Sequence, residues 1–539
     1  MHAVAKQRSE LGRDVWWTTA AVLTGILTMA FGMFAVVVAI PKVMTAFGAD
    51  VNGIQWVMTG YLIARAVPTP AIGWLVGCLG KRQLFLIGVI GMTTCSSLCG
   101  FAWDLESLIF FRILQGALGA PVMAVGMVIL YESFPPHRQG LAMGLIILVA
   151  SLGPTIGQLC GGYLVEMISW RAIFFLALPS GVTSLVLTLL VIPNDVPTAG
   201  KTIDIPGLTS MTVFLVALLL ALTQGQHQGW DSNYILSLWA IAVAFFAIFV
   251  ATQLVVPNPV VHLRLYRHFS FTMASIVVFL YNAGFMGANF LVALMLQAVF
   301  NFTPIQAGYI LAPGAIVMGF SGFLSGKFSD RLDPRWLMLG GLLCFVVNLI
   351  CFASLTLMAG VGLVTLLVIF QRGGFGMIHS SVNTAVMRTL PAADRSMGSG
   401  LHNLHRGIGM SFGVALCSML LEKRLAVHQV LMGQQHDRFA VSVEQTLSGF
   451  RYWLNEAGVA TQAIQNQAFS ALHGLMIDHV RMAAYTDVFA ILAILFLGAL
   501  VPAWFVRAQV LSPSAAKPQP ETHTPVSKQD EVDALAKSR

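Results

Sequence analysis

Apolar stretches of about 20 residues alternate with short polar connections along most of this chain. Each is long enough to carry a helix across the hydrocarbon core of a bilayer. Fourteen are read, near 17–38, 54–76, 84–103, 108–130, 141–165, 171–192, 206–223, 234–256, 270–299, 305–326, 336–358, 361–387, 398–421 and 486–506. Three regions break the pattern. Residues 1–16 form a short polar arm. Residues 422–485 read as one long outer loop in which Phe450, Trp453 and Leu454, then Leu472, Leu475 and Met476, recur at helical spacing; that spacing predicts amphipathic helices outside the bilayer. Residues 512–539, rich in Pro, Lys, Asp and Glu, predict a disordered tail.

Composition agrees with the pattern. Of 539 residues, 57% are hydrophobic and 10% charged, against roughly 25% charged in a soluble protein. The chain therefore reads as an all-α membrane protein, and the length and company of the first apolar run argue against a cleavable signal peptide. An even number of spans puts both termini on one side. Alternate connections hold Lys81, Arg82, Arg138, Lys201, Arg264, Arg267, Lys327, Arg331, Arg335, Arg388 and Arg395, while the short connections between them hold only Lys42 and Arg171. Basic residues stay with the cytoplasm, so both termini are expected there, in a multi-pass inner (plasma) membrane protein. The net charge of +7 follows from that bias and does not call for a nucleic-acid partner. The seven cysteines form no CxxC and no Cys/His cluster, so neither metal nor disulfide framework is indicated. A nucleophile elbow and a phosphate loop are also missing, so the sequence calls for no enzyme and no cofactor.

Between Phe110 and Trp170 small residues (Gly116, Gly119, Gly153, Gly157, Gly161, Gly162) permit close helix approach, and Pro154 interrupts a backbone ladder in mid-helix. A repeat is also visible: GWLVGCLGKRQLFLIG from Gly73 corresponds to GKFSDRLDPRWLMLGG from Gly326, after the second and tenth spans. Each copy is a glycine-led helix end, a tight basic turn and the next helix. Repeats of this kind underlie two-lobed transporters with a central site exposed alternately to either side. With spans seven and eight as an insertion, each lobe holds six helices: 17–192 and 270–506, joined by extra helices at 206–256.

At this point the motifs resemble a known family. FFRILQGALGA (110–120), GPTIGQLCGG (153–162), LMLQAVFNFTPIQAGYILAP (294–313), FQRGGFGMIHSSVNTAVM (370–387) and GSGLHNLHRGIGMSFGVAL (398–416) are similar to segments of the major facilitator superfamily, in particular its fourteen-helix drug/proton antiporters of the EmrB/QacA type. The resemblance covers roughly residues 20–507. It implies a major facilitator fold of 14 transmembrane helices, in two six-helix lobes plus two extra central helices. It further implies export of drug-like or other amphipathic organic molecules, proton antiport, and contact of the outer loop with a periplasmic membrane-fusion adaptor. Protons and membrane lipid are thus expected partners beside the substrate. A facilitator or lipid/fatty-acid transporter without proton coupling, and an inner-membrane component of a tripartite efflux complex, are the rival readings. The sequence departs from the family pattern at three places: Gly32 stands where an aspartate precedes a segment like VVAIP (37–41), Gly77 and Cys78 where the first loop motif carries charge, and Gln158 where the fifth-helix motif carries a second proline.

Candidate chemistry lies in the intramembrane polar residues. None of the 23 acidic residues falls near the middle of a span, so the usual proton-binding carboxylate is missing. His379, His402 and His405 are the alternative proton carriers; the other reading is a helix–helix hydrogen bond. Arg65, Arg112, Arg372 and Arg406 each need a cavity or a partner, because an unpaired arginine in hydrocarbon costs at least ~3 kcal/mol. Arg112, Arg372 and Arg406 match the family pattern, which associates Arg112 with proton transfer or substrate contact; Arg406 is a further proton-coupling candidate, and Arg372 is either a substrate contact or structural. Arg65 does not match the pattern: it either holds an anionic substrate together with Arg112, or snorkels or bonds to a helix carbonyl. Gln115, Gln158, Asn282, Asn289 and Gln297 are further substrate candidates, and Phe279, Tyr281, Phe285 and Phe290 form a candidate apolar wall. For gating, Glu132 with Lys81 and Arg82, and Asp330 with Arg331 and Arg335, are candidate inner-face latches; Gly73 and Arg138 flank them, and Gly153, Pro154 and Gly157 supply bend points.

Overall fold

The computed structural model describes residues 13–49, 51–195, 204–256, 259–391, 394–434, 440–456 and 461–506. Most of the arm and the whole 512–539 tail lie outside these residues. Among the described residues, fourteen segments are helical, long and apolar enough to cross a membrane. The first lobe comprises α1 (Arg13–Phe47), α2 (Val51–Ala66), α3 (Ile72–Leu79), α4 (Lys81–Gly100), α5 (Leu105–Ser133), α6 (Gln139–Met167), α7 (Ala172–Phe175) and α8 (Ala177–Val191). Two further helices follow, α9 (Ile205–Gln228) and α10 (Asn233–Val255). The second lobe comprises α11 (Phe269–Ala298), α12 (Pro304–Phe328), α13 (Pro334–Ala353), α14 (Val361–Thr389), α15 (Arg395–Gln434), α16 (Ala440–Glu456), α17 (Thr461–Leu497) and α18 (Leu500–Phe505).

Local chemistry sets the helix ends. Asp104 caps α5 through the Ser107 amide at 2.7 Å while the Ser107 hydroxyl bonds back; these bonds hold the Asp104 carboxyl below its ordinary range. Thr303 and Gln306 cap α12 in the same way. The second span breaks at Pro68 and Pro70 into α2, a 3₁₀ turn (Thr69–Ala71) and α3, because proline removes a ladder donor and clashes with the preceding turn. Gly80, with φ of 83°, then allows the tight turn into α4.

The packing repeats between lobes. α1 packs on α6 as α11 does on α15; α2 on α5 as α12 on α14; α4 on α5 as α13 on α14; and α4 on α8 as α13 on α17. The lobes meet where α6 crosses α12 and where α3 and the 3₁₀ turn cross α15. The pair α9/α10 has its own small core, including Ala217, Ala221, Ile235 and Ala242, and reaches the lobes where α9 touches α2 and α15. Its ends are tied together by Asp204, which accepts from the Gly207 amide at 2.8 Å and from Gln253 Nε2 at 2.9 Å.

The 422–485 region is helical almost throughout its described length. α15, with 40 residues, is about 60 Å long at 1.5 Å per residue, twice the hydrocarbon thickness. α17, with 37 residues, runs without interruption from 461 into the last span. The connection expected as a loop is thus largely two spans continuing outward. No proline lies within either extension, so nothing in the backbone forces a stop. His428 Nε2 lies 2.8 Å from Asp487 Oδ2, joining α15 to α17, and α16 packs on α17 through Leu447, Leu454, Ile464, Ala468 and Leu472.

Candidate functional site

The lobes close upon each other at the end that carries the basic connections. Gly140, Gly144, Gly322 and Gly326 bring α6 and α12 together backbone to backbone: a Cβ on Gly140 would meet the Gly326 carbonyl and the Asp330 carboxylate, and one on Gly144 would meet Phe323 at 2.8 Å. Asp330, in the turn after α12, accepts the amides of Gly140 at 2.6 Å and Leu141 at 3.0 Å. A carboxylate of the second lobe therefore caps a helix of the first, where exposed amides and the helix dipole favour negative charge. Arg388 of α14 pairs with Asp330 at 3.3 Å and donates to the Ser329 carbonyl at 2.9 Å. Burial raises the Asp330 carboxyl above its ordinary range, opposed by the two amides and Arg388.

The matching contact in the first repeat is uncharged. Gly73 abuts the Met397 backbone, Gly400 the Thr69 carbonyl, and Ser399 donates to the Ala124 carbonyl at 2.7 Å. Gly77 occupies the place that Asp330 holds in the second copy. On α6 and α12, the close approach at glycines ends with Gly319 beside Leu148 and Ser151; farther along, Leu159, Tyr163 and Tyr309 are exposed.

One turn beyond the Thr69–Gly400 contact lie the polar residues of the interior. Arg65 is half-buried, with Nη1 3.5 Å from Met33 Sδ. Opposite it on α15, Arg406 lies within electrostatic range of Arg65, Tyr281, His379 and His402. The Tyr281 hydroxyl and His379 Nδ1 are 2.8 Å apart, in a buried aromatic group where Phe285 stacks on Phe375 at 3.6 Å. His402 is 2% exposed, and its Nδ1 has no partner among the described residues. His405 is held between the Tyr266 hydroxyl at 3.1 Å and the Leu401 carbonyl at 2.6 Å. Arg372 donates to Asn289 Oδ1 at 3.1 Å.

The sequence profile of the Major Facilitator Superfamily matches residues 22–414. The chain belongs to that superfamily. It is a multi-pass membrane transporter of small molecules, of the EmrB/QacA type, and not an enzyme. It is 27% identical to the multidrug export protein EmrB of Haemophilus influenzae over 476 residues, covering 87% of this chain and 91% of that protein. Identity to the fatty acid resistance protein FarB of Neisseria gonorrhoeae is 26%, covering 92% of this chain and 97% of that protein. Identity to the tetracenomycin C resistance and export protein of Streptomyces glaucescens is 27%, covering 76% of each. The crystal structure of the human organic anion transporter MFSD10 superposes with a TM-score of 0.55 at 12% identity, over 90% of this chain and 99% of that one, a likeness of fold.

Within this superfamily architecture, several expected roles move. Arg112 bonds at Gly32 of α1, while Arg65 reaches Met33, the next residue of that helix. Arg112 is fully buried inside the first lobe, bonded to the Gly32 carbonyl at 2.6 Å and Gln115 Oε1 at 2.7 Å, with the rings of Tyr61 and Phe174 at 5.4 and 5.3 Å. Arg112 and Gln115 are both 0% exposed, enclosed by helix packing. Arg406 of the second lobe lies within electrostatic range of Arg65. Asn282 bonds to its own helix at the Val278 carbonyl and is buried; Gln297 does likewise at the Ala293 carbonyl and is exposed. Gln158 is exposed on the half of α6 remote from its start at Gln139.

The gating candidates also separate. Lys81 pairs with Glu132 inside the first lobe, and Arg82 bonds to Asn194 and the Leu189 carbonyl there, so this pair ties one lobe together and does not bridge two. Arg335 sits against Trp336 and Trp504 within the second lobe. Arg138 and Arg331 are exposed. Gly153 and Gly157 pack on Ala30 and Phe31 of α1, and Pro154 lies inside a continuous α6. Neither Arg388 nor the α6 amides stand out along the sequence; the Asp in the second repeat beside a Gly-led helix start is the available signal.

Proposed function

We propose that this protein exports amphipathic organic molecules, anions among them, by alternating access powered by the proton-motive force. The observation that carries the reading is the lobe closure at the basic end among the described residues. Asp330 and paired glycines seal one side of the interface, and Arg65 and Arg406 lie just beyond the seal. With the basic end cytoplasmic, as the lysine and arginine distribution expects, this is the conformation that releases cargo outward. The names of the relatives, export proteins for drugs, tetracenomycin and fatty acids, support the direction and the amphipathic cargo. Arg65, Arg406, Asn289 and Arg372 are the residues suited to contact cargo. His379 and His402 are the groups of the second lobe able to carry a proton.

The outward extensions of α15 and α17, with α16, expose Tyr452 (68%) and Trp453 (66%), a surface suited to the adaptor that the resemblance implies. The test is intracellular accumulation in an efflux-deficient bacterium expressing the chain, for anionic, neutral and cationic amphiphiles, with and without a protonophore. Selective depletion of anions, abolished by the protonophore, is expected. Depletion that survives the protonophore supports the facilitator reading, and no depletion of any compound refutes export.

A further inference from the structure

We propose that Asp204 is a positioning residue for the closure of the basic end. It knots the α9/α10 pair to the chain that backs Met397, where the first lobe rests on the second. The two extra helices thereby support the seam that has no counterpart of Asp330. This rests on the alternating-access reading above and gives the α9/α10 pair a part in it.

The α6–α12 seam is held by a carboxylate. In the other seam, where α3 and the Thr69–Ala71 turn meet α15, Gly77 stands at the matching position, and the contact centres on Met397. A Cβ on Gly73 would come within 2.5 Å of the Met397 Cα and Cβ, so the first lobe bears directly on that residue. Behind it runs the chain that leaves α10. The Val260 amide donates to Asp204 Oδ2 at 3.3 Å, the Val261 amide to Gln253 Oε1 at 2.9 Å and the His262 amide to Met397 Sδ at 3.1 Å. Three consecutive amides are thus each taken by a different acceptor. Asp204 also accepts from Gln253 Nε2 at 2.9 Å and caps α9 at the Gly207 amide, which closes the knot. Asp204 is 3% exposed, Gln253 5%, Val260 1% and Met397 5%.

A helix cap by itself needs one such bond, as Ser232 makes to the Ile235 amide at the start of α10. The remaining bonds of Asp204 reach 49 and 56 residues along the chain and hold residues 260–262 in one conformation. That order matters at the seam. With the backing chain fixed, Met397 presents a firm surface and the lobes close on it without ordering anything further. With the knot broken, each closure must order that chain again, and fixing the backbone of even one residue shifts the closed-to-open equilibrium by about tenfold. α9 also touches α2 of the first lobe and α15 of the second, so the pair sits across the seam that it supports.

The test uses the full chain without its seven native cysteines, in inverted membrane vesicles. One reporter is Ile72→Cys, in the supported seam, where Ile72 is 0% exposed beside Gly400; the other is Ile147→Cys, in the α6–α12 seam. Each is labelled with a membrane-impermeant maleimide from the cytoplasmic side. Asp204→Asn keeps an oxygen for the Gly207 amide but turns an NH2 toward Gln253 and Val260, so it breaks the knot and spares the cap. It is expected to raise both labelling rates by about tenfold. Adding Gln253→Glu returns an acceptor to that NH2 and keeps one for the Val261 amide, and should reverse most of the rise. Because Ile147 lies in the far seam, its labelling reports the lobes parting and not a local loosening. A rise at Ile72→Cys alone, or at neither position in a variant that unfolds at the wild-type temperature, overturns the proposal. If Asp204→Asn fails to fold, Met397→Ala cuts the knot from the seam at its other end; the same rise is expected, and unchanged rates overturn the proposal. Asp330→Ala separates the two readings. If it raises the rates and the Asp204 and Met397 variants do not, only the role of Asp204 falls; if no variant raises either rate, the closed basic end falls as well.

Discussion

Replacing Asp330 with alanine should unlock the basic end of the transporter. The wild-type carboxylate accepts two helix amides of the other lobe, at 2.6 and 3.0 Å, and pairs with Arg388 at 3.3 Å. The pair is largely out of water, with side-chain exposures of 5% for Arg388 and 9% for Asp330. Hydrogen bonds to charged groups contribute about 1.5–3 kcal/mol each, and breaking a buried pair from one side costs about 3–5 kcal/mol. Against this stands the hydration that the carboxylate regains when the lobes part. A net loss of about 3 kcal/mol is a shift of roughly 150-fold in the closed-to-open equilibrium, so a population about 99% closed would fall to about 40%. Ile147 reports on it: it is 2% exposed and lies against Gly322 across the interface. In a background lacking the seven native cysteines, Ile147→Cys should react slowly with a membrane-impermeant maleimide added from the cytoplasmic side. Asp330→Ala should raise that rate by more than tenfold. An unchanged rate in a variant that unfolds at the wild-type temperature would refute the trans-lobe cap.

Further expectations use the same measurements. Gly326→Ala should also open the basic end, because its Cβ meets the Gly140 carbonyl and the Gly144 backbone, whereas Gly308→Ala, with nothing within 4 Å, should not; equal labelling of Ile147→Cys in both would remove the packing argument. Gly32→Asp should raise the unfolding temperature by giving the unpartnered Arg112 Nη2 and Nε a carboxylate, at the expense only of moving the end of Gln115, 3.0 Å from the new Cβ; a lowered temperature would show the arginine already satisfied. Because burial raises the Asp330 carboxyl in the closed state while opening returns it to water, the closed state binds the proton more tightly. Acidification through the carboxylate range should therefore slow the labelling more than it slows that of a fully exposed cysteine, and faster labelling relative to that reference would reverse the assignment. Deleting residues 440–476 should spare transport in liposomes and abolish export from cells if this region docks an adaptor; loss in both would assign it to the transporter itself.

The apolar runs by themselves determined that the chain crosses the membrane fourteen times, because backbone polar groups in hydrocarbon can be satisfied only within helices. The repeat of Gly73 in Gly326 likewise announced two lobes, and the basic connections announced which ends lie together. Apolar residues at helical spacing announced helices within 422–485, but not that α15 and α17 continue into that region without a break, because the same spacing serves a separate helix and an extended one. Nor was the division of labour among the arginines legible. Arg65, Arg112 and Arg406 look equivalent along the chain, each a charge in an apolar run. Whether such a charge is enclosed against a neighbouring helix, as Arg112 is against Gly32, or lies in electrostatic range of another charge across the lobes, as Arg406 does of Arg65, depends on how helices far apart in sequence are rotated against one another. The latch shows the same limit. Asp330 is visible as a residue, but its partners are backbone amides at the start of α6, which no side-chain pattern records; only the close approach of two glycine-lined helices brings them within reach.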